Sequence, residues 1–274
     1  MELFVVDESK CARDGLCSAA CPLTIITMRE EGAVPEPRNR AADLCISCGH
    51  CVAVCPNGAL SHRDMSPDQC PPRREELLLG ADQAEHFLRS RRSIRNYKDE
   101  PVEKETIARL IDIARYGPSG HNTQPVKWLV IHDRDALRRM VGMVIDCMRD
   151  MLKRQPEVAK DQHLDIIVGA YKLGFDAVCR GAPHIIVAHA PRDAMPAPAA
   201  CTIAIAYLEL AAPALGLGTC WGGYFMAAVN QWAPLKKALS LPDEEVAYGA
   251  VMVGYPKFRY RRLPVRNRPE VTWR

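Results

Sequence analysis

The chain has 274 residues, enough to bury a core as one large domain or two unequal ones. It is 48% hydrophobic and 25% charged, and its net charge of +3 is too small to point to nucleic acid or a membrane surface as partner. Seven of its twelve cysteines lie between Cys11 and Cys55, and the opening "MELFVVDESK" lacks the basic start and apolar core of a secretory signal, so a reduced cytoplasmic protein is expected rather than a disulfide scaffold.

In chain order, the first feature is an internal repeat. "CARDGLCSAACP" (Cys11–Pro22) and "CISCGHCVAVCP" (Cys45–Pro56) superpose at an offset of 34 residues. Cys11 falls on Cys45, Gly15 on Gly49, Cys17 on Cys51, Cys21 on Cys55 and Pro22 on Pro56, while Asp14 stands opposite Cys48. A short run follows each copy, "LTIITM" and "NGALSH". The full pattern Cys-x2-Cys-x2-Cys-x3-Cys-Pro suits an iron–sulfur cluster, which takes three thiolates from one tight loop and a fourth from elsewhere. Zinc prefers two separated pairs around a tetrahedron and fits this crowding poorly. Buried free thiols would explain neither the repeat nor the prolines.

These residues resemble bacterial ferredoxins with two [4Fe–4S] clusters, over about the first sixty positions. The resemblance implies crossed ligation. Cys45, Cys48, Cys51 and Cys21 would hold one cluster, and Cys11, Cys17 and Cys55 the other, with Asp14 at its fourth corner. A carboxylate matches soft iron–sulfide poorly, so two alternatives stay open there. Asp14 is either a weak oxygen ligand of a [4Fe–4S] cluster or a loop residue beside a [3Fe–4S] cluster. Cys70, in a proline-rich stretch, is a more remote candidate.

The expected organisation is a cluster domain over 1–62, a linker over 63–78 and a second domain over 79–274. "SHRDMSPDQCPPRR" (Ser61–Arg74) has no periodic apolar pattern and reads as linker. "ADQAEHFLRS" predicts a short amphipathic helix, and "VEKETIARLIDIARYG" places Ile107, Leu110, Ile111 and Ala114 on one helical face before Gly117-Pro118 stops it. Val126–His132 and His184–His189 predict strands, Asp133–Leu152 and Leu164–Val178 helices, and Val246–Tyr255 a buried strand. Ala199–Leu215 predicts a long apolar helix; Glu209, Pro213 and the lack of basic flanks argue against a membrane span. Helices alternating loosely with strands predict one α+β domain.

Three patches carry the chemistry of this domain. "RSRRSIRNY" (Arg89–Tyr97) clusters Arg91, Arg92, Ser93 and Arg95, four groups able to bind a phosphate or a polar heterocycle edge. "GPSGHNTQPV" (Gly117–Val126) surrounds the amides of Asn122 and Gln124 with turn formers. "GLGTCWGGYF" (Gly216–Phe225) is not a dinucleotide fingerprint, since Trp221 takes the third glycine's place and an apolar helix precedes it. No phosphate-binding Gly-x4-Gly-Lys loop, Gly-x-Ser-x-Gly elbow or His-Glu-x-x-His is present, so hydrolase and kinase chemistry have no support.

Together and in order, the patches resemble the nitroreductase family of FMN enzymes, from about Leu77 to the C-terminus. The resemblance implies an α+β sandwich in an intertwined homodimer, with FMN at the interface. Arg91, Arg92, Ser93 and Arg95 would contact the phosphate and the pyrimidine side of the ring. Pro118, Ser119, Gly120 and Asn122 would arrive from the partner chain, with Gln124 close by. Trp221, Gly222 and Gly223 would pass the isoalloxazine, where a backbone N–H meets N5, and Arg262 would hold the phosphate. No catalytic acid is identified.

The expected function is an FMN-dependent oxidoreductase. Electrons would pass from a ferredoxin or flavodoxin through the clusters to FMN, and on to a nitro, quinone or unsaturated acceptor. Two alternatives remain: an electron-transfer adaptor without small-molecule turnover, and an NAD(P)H nitroreductase whose clusters are structural or regulatory.

Overall fold

A computed structural model describes residues 2–274, which divide into two compact units. One comprises the residues up to Leu79 together with His121–Thr123; the other comprises Gly80–Gly120 and Gln124–Arg274.

The first unit contains β1 (Phe4–Val6), α1 (Leu16–Ala19), β2 (Ile26–Thr27), β3 (Glu36–Pro37), α2 (Ala41–Leu44), α3 (His50–Ala53) and β4 (Leu60–His62). β1 pairs antiparallel with β4, and β2 with β3. Its core is small: Leu3, Phe4, Ile25, Ile26, Ala41, Val52 and Leu60 pack with Cys17. A unit of this size rarely stands on apolar burial alone and takes further stability from bound metal. Ser61 and His62 read as the start of a linker, yet they complete β4. Two-residue alternation turns Leu60 and His62 inward and Ser61 outward, so a polar-looking pair closes the sheet.

The second unit adds α4 (Ala81–Ser90), α5 (Lys104–Ala114), β5 (Lys127–Ile131), α6 (Arg134–Arg154), α7 (Pro156–Asp161), α8 (Leu164–Lys172), β6 (His184–Pro191), α9 (Ala197–Ala211), β7 (Gly218–Trp221), α10 (Gly223–Gln231), α11 (Ala233–Ala238) and β8 (Glu245–Gly254). Its antiparallel sheet has the order β5-β6-β8-β7. Ile185, Val187, Ala250 and Met252 point into the layer formed by α6, α8, α10 and α11. Ile186, Ala188, Val251 and Val253 point into the opposite layer, with α5 and α9. Burial on both faces makes the middles of β6 (Ile185–Ala188) and β8 (Ala250–Val253) unbroken apolar runs, although the sheet is antiparallel.

Two helices end earlier than the sequence expectation, each for a local reason. The helix expected over Leu164–Val178 stops at Lys172: Gly174 follows with φ 83°, a left-handed C-terminal position. The Asp176 carboxylate then accepts N–H bonds from Val178, Cys179 and Gly181, which holds the following turn. The "GLGTCWGGYF" segment is an edge strand followed by α10. The helix expected over Ala199–Leu215 is α9, ending at Ala211 and tightening into a 3-10 turn over Ala212–Leu215, where Pro213 has no N–H to continue the ladder.

With that turn, Ala197–Leu215 is long and apolar enough to cross a membrane by length and composition alone. Here it packs Ala200, Cys201, Ala204, Ile205 and Leu208 against β6, β8 and α5. Past Gly254 the chain runs on without helix or named strand, and Phe258, Tyr260, Leu263, Val265, Val271 and Trp273 are exposed along it.

Candidate cluster and cofactor sites

Each cysteine loop turns on a glycine. Gly15 (φ 72°) and Gly49 (φ 74°) open α1 and α3 from the left-handed region, which other residues enter only under strain. A methionine sulfur closes over each turn, Met28 on Gly15 and Met65 on Gly49, so a side chain at Gly49 would strike Met65 as well. α1 and α3 thereby present Cys17 and Cys51 inward from matching positions.

The thiols fall into two groups. Cys21, Cys45, Cys48 and Cys51 line one cavity, walled by Leu3, Phe4, Ile25 and Ile26. Cys17 lies within electrostatic reach of Cys11 and Cys55. Burial pushes the Cys51 thiol up to about 11, and the neighbouring Cys45 and Cys48 add to the rise. Burial raises Cys17 in the same way, with Cys11 and Cys55 adding. Such thiols stay protonated until a metal displaces the proton. Among the described residues no three His, Cys, Asp or Glu side chains gather closely enough for a single ion. A zinc site would need its sulfurs at about 2.3 Å from one point; these four surround a shared space instead. Soft donors in an apolar wall fit an iron–sulfur cluster.

Asp14 is exposed. Its Oδ1 accepts the Leu16 N–H at 3.1 Å, and it lines a surface hollow with Arg13, Met28, Glu30 and Glu31. One residue that the sequence reading passed over belongs to the first group. His62, 6% exposed, lines the Cys45 cavity, and its Nε2 lies 3.4 Å from the Cys45 Sγ. The repeat itself holds the signal, since the 34-residue offset sets His62 against Met28.

In the second unit, Arg91–Tyr97 runs beside β7. Ile94 N–H donates to the Thr219 carbonyl at 2.8 Å and Ser93 bridges Thr219, while the Tyr97 hydroxyl donates to the Ile94 carbonyl at 2.6 Å. This approach requires glycine at 218, where a Cβ would come within 2.5 Å of Ile94. The arginine patch and the Gly-Thr-Cys-Trp strand are thus neighbours, joined by Glu209, which lies 118 residues from Arg91.

Glu209, on α9 and 6% exposed, is that join. Its Oε1 accepts from Arg91 at 3.3 Å and from the Thr219 hydroxyl at 3.2 Å, and its Oε2 accepts from the Trp221 indole N–H at 3.1 Å. Beside it, a cavity of about 510 Å³ is lined by Arg92, Lys98, Glu209, Gly218, Lys257 and Arg259. The Arg92 Nε is buried there without an acceptor. A desolvated guanidinium N–H without a partner is costly, and an anionic oxygen would satisfy it. The residues therefore fit a phosphate.

A second cavity, of about 430 Å³, is lined by Arg95, Cys220, Trp221, Gly223 and Tyr224, among others. The Gly222 N–H is taken by the Ala250 carbonyl at 2.7 Å. Gly223 opens α10, where first-turn N–H groups have no intrahelical acceptor. Arg262 is exposed and lines neither cavity, and neither do Pro118, Ser119, Gly120, Asn122 or Gln124. In that loop the Gln124 N–H donates to the Ser119 hydroxyl at 2.9 Å, and Asn122 and Gln124 both take left-handed backbone angles.

Comparison with known proteins follows the same division. The nitroreductase family profile matches residues 88–255, and that of a 4Fe-4S dicluster domain matches residues 9–60. A Methanothermobacter thermautotrophicus protein, provisionally named NADH dehydrogenase/NAD(P)H nitroreductase, is 27% identical over 175 residues, covering 62% of this chain and 75% of its own. A protein of the same provisional name from Archaeoglobus fulgidus is 28% identical over 172 residues, covering 62% of this chain and 84% of its own. The crystal structure of an FMN-bound nitroreductase from Bacteroides fragilis superposes with a TM-score of 0.60 at 18% identity, over 70% of this chain and 99% of that one, a likeness of fold.

Proposed function

Because the chain belongs to the nitroreductase family and carries a 4Fe-4S dicluster domain ahead of it, we propose an FMN-dependent oxidoreductase whose flavin exchanges electrons with a one-electron carrier by way of the clusters. The carrying observation is the pairing, on one chain, of two thiol groups with a cavity in which the Arg92 Nε is buried and unpartnered.

Cys21, Cys45, Cys48 and Cys51 hold one cluster. Cys11, Cys17 and Cys55 hold the other, either with the second Asp14 oxygen as fourth ligand or as a three-iron cluster without it. Arg92 takes the flavin phosphate, and Glu209 holds Arg91 and Trp221 in place around it. Arg95, Trp221 and Gly223 wall the cavity suited to the ring, with the Gly223 N–H as the backbone donor toward it. When bound, FMN supplies hydride or single-electron transfer, whereas iron–sulfur clusters supply one electron at a time.

Hydride delivery from a nicotinamide needs no cluster. The thiol groups therefore favour a reduced ferredoxin or flavodoxin as donor, with a nitro, quinone or unsaturated compound as acceptor. A direct nicotinamide route is the second reading, favoured by the provisional names of the archaeal relatives. Cys48→Ser separates the two: ferredoxin-to-flavin electron transfer is expected to slow at least about tenfold, and an unchanged rate would remove the clusters from the path.

The same reading makes the protein a homodimer. α4 buries none of its residues, the outer face of α9 exposes Ala206 and Tyr207, and the C-terminal arm carries exposed aromatic and aliphatic side chains. Apolar surface of this extent is the kind that a second copy covers.

A further inference from the structure

We infer that His62 raises the reduction potential of the cluster held by Cys21, Cys45, Cys48 and Cys51, by donating its Nε2–H to the Cys45 sulfur. This rests on the ligand set proposed above.

The direction of the bond follows from the ring's other nitrogen. His62 Nδ1 accepts the Asp64 backbone N–H at 3.1 Å, so its lone pair is engaged there. A neutral imidazole carries one proton, which must then sit on Nε2. Nε2 faces the Cys45 Sγ at 3.4 Å.

Both ends of the contact are braced. The His62 N–H donates to the Met65 carbonyl at 2.9 Å and the Met65 N–H to the His62 carbonyl at 3.1 Å, which closes the turn that supplies Asp64. The Ser47 hydroxyl, on the loop between Cys45 and Cys48, donates to the Asp64 carboxylate at 2.7 Å. Ring and sulfur are thereby held by one connected network, and the ring is buried.

Reduction moves one electron from an external low-potential donor, such as dithionite, onto the cluster; no bond is made or broken. The added negative charge spreads onto the ligand sulfurs. An N–H dipole aimed at one of them stabilises the reduced form more than the oxidised form, and hydrogen bonds to sulfur are among the determinants of cluster potential. The repeat supplies an internal control. By the 34-residue offset the first copy has Met28 opposite His62, a thioether with no N–H to give, and its sulfur lies over Gly15 as that of Met65 lies over Gly49. The donor acts on one cluster and not on its pseudo-symmetric neighbour.

The test is an EPR-monitored redox titration of the full-length holoprotein, as wild type, His62→Leu and His62→Gln. Electron uptake by one cluster is expected to weaken about tenfold in His62→Leu, a fall of about 59 mV for a one-electron couple. The fall is expected to be smaller in His62→Gln, whose amide still donates, and the other cluster is expected to hold its potential. Two intact clusters with unmoved potentials, or with both moved equally, would overturn the inference. Should His62→Leu fail to assemble, hyperfine spectroscopy with ring-15N histidine decides: coupling to the reduced cluster in wild type, lost in His62→Gln, supports the bond, and its absence in wild type refutes it. Failure of the ligand reading looks different. In that case Cys45→Ala, which leaves no donor atom, would keep both clusters in place with full iron and sulfide content.

Discussion

Glu209 shows how much one carboxylate can organise. Burying it on an apolar helix is tolerated because Arg91, Thr219 and Trp221 supply three donors to its two oxygens. Glu209→Ala strands all three, so the variant is expected to lose about 2–3 kcal/mol of stability. It is also expected to bind FMN at least about tenfold more weakly, because Arg91 and Trp221 lose their anchor. Glu209→Gln, which keeps one acceptor, is expected to fall between. Thermal denaturation and FMN titration measure both effects, and a Glu209→Ala protein with wild-type FMN affinity would contradict this role. In the sequence Glu209 reads only as a charge that spoils a membrane span. Its partners lie 10, 12 and 118 residues away, a convergence that no local pattern encodes. The cysteine loops are the opposite case, because most of the ligands proposed for each cluster arrive within a dozen residues and the spacing itself carries the chemistry.

At the scale of elements, legibility follows the length of the repeating signal. α6 and the doubly buried β6 and β8 are long, and their periods or unbroken apolar runs mark them out. β7 has four residues, begins with a glycine and is too short to show a strand pattern in the sequence, yet it carries Trp221 and receives the arginine patch. Its strand character comes from pairing with β8, a contact made across the domain and invisible locally. α9 is the converse: its apolarity was plain, but composition does not say which neighbour each face meets. Its inner face meets the sheet, while Ala206 on the outer face is exposed. A second copy is expected to cover that outer face. Ala206→Glu should leave the subunit folded, since the site is open in the monomer, and should shift the wild-type dimer toward monomer in sedimentation velocity. A wild-type monomer, or a variant dimer of undiminished mass, would contradict the arrangement.

The whole molecule joins two kinds of electron carrier on one chain. The two units have separate cores, one small and thiol-lined, the other a sheet between helical layers. Covalent joining fixes their stoichiometry and keeps the local concentration of one near the other high. A flavin that drew only on hydride would gain nothing from that. Neither the donor nor the acceptor was legible in the residues, because a one-electron carrier docks on a surface rather than announcing itself in a motif, and the same ring cavity accepts many flat oxidants. The identity of the donor therefore decides between the cluster route and the direct nicotinamide route. Anaerobic stopped-flow reduction, following flavin bleaching with NADH, NADPH and reduced ferredoxin offered separately, tests it directly. The cluster route requires fast bleaching by ferredoxin and slow or no bleaching by either nicotinamide. Rapid bleaching by NADH or NADPH with ferredoxin slow would contradict it.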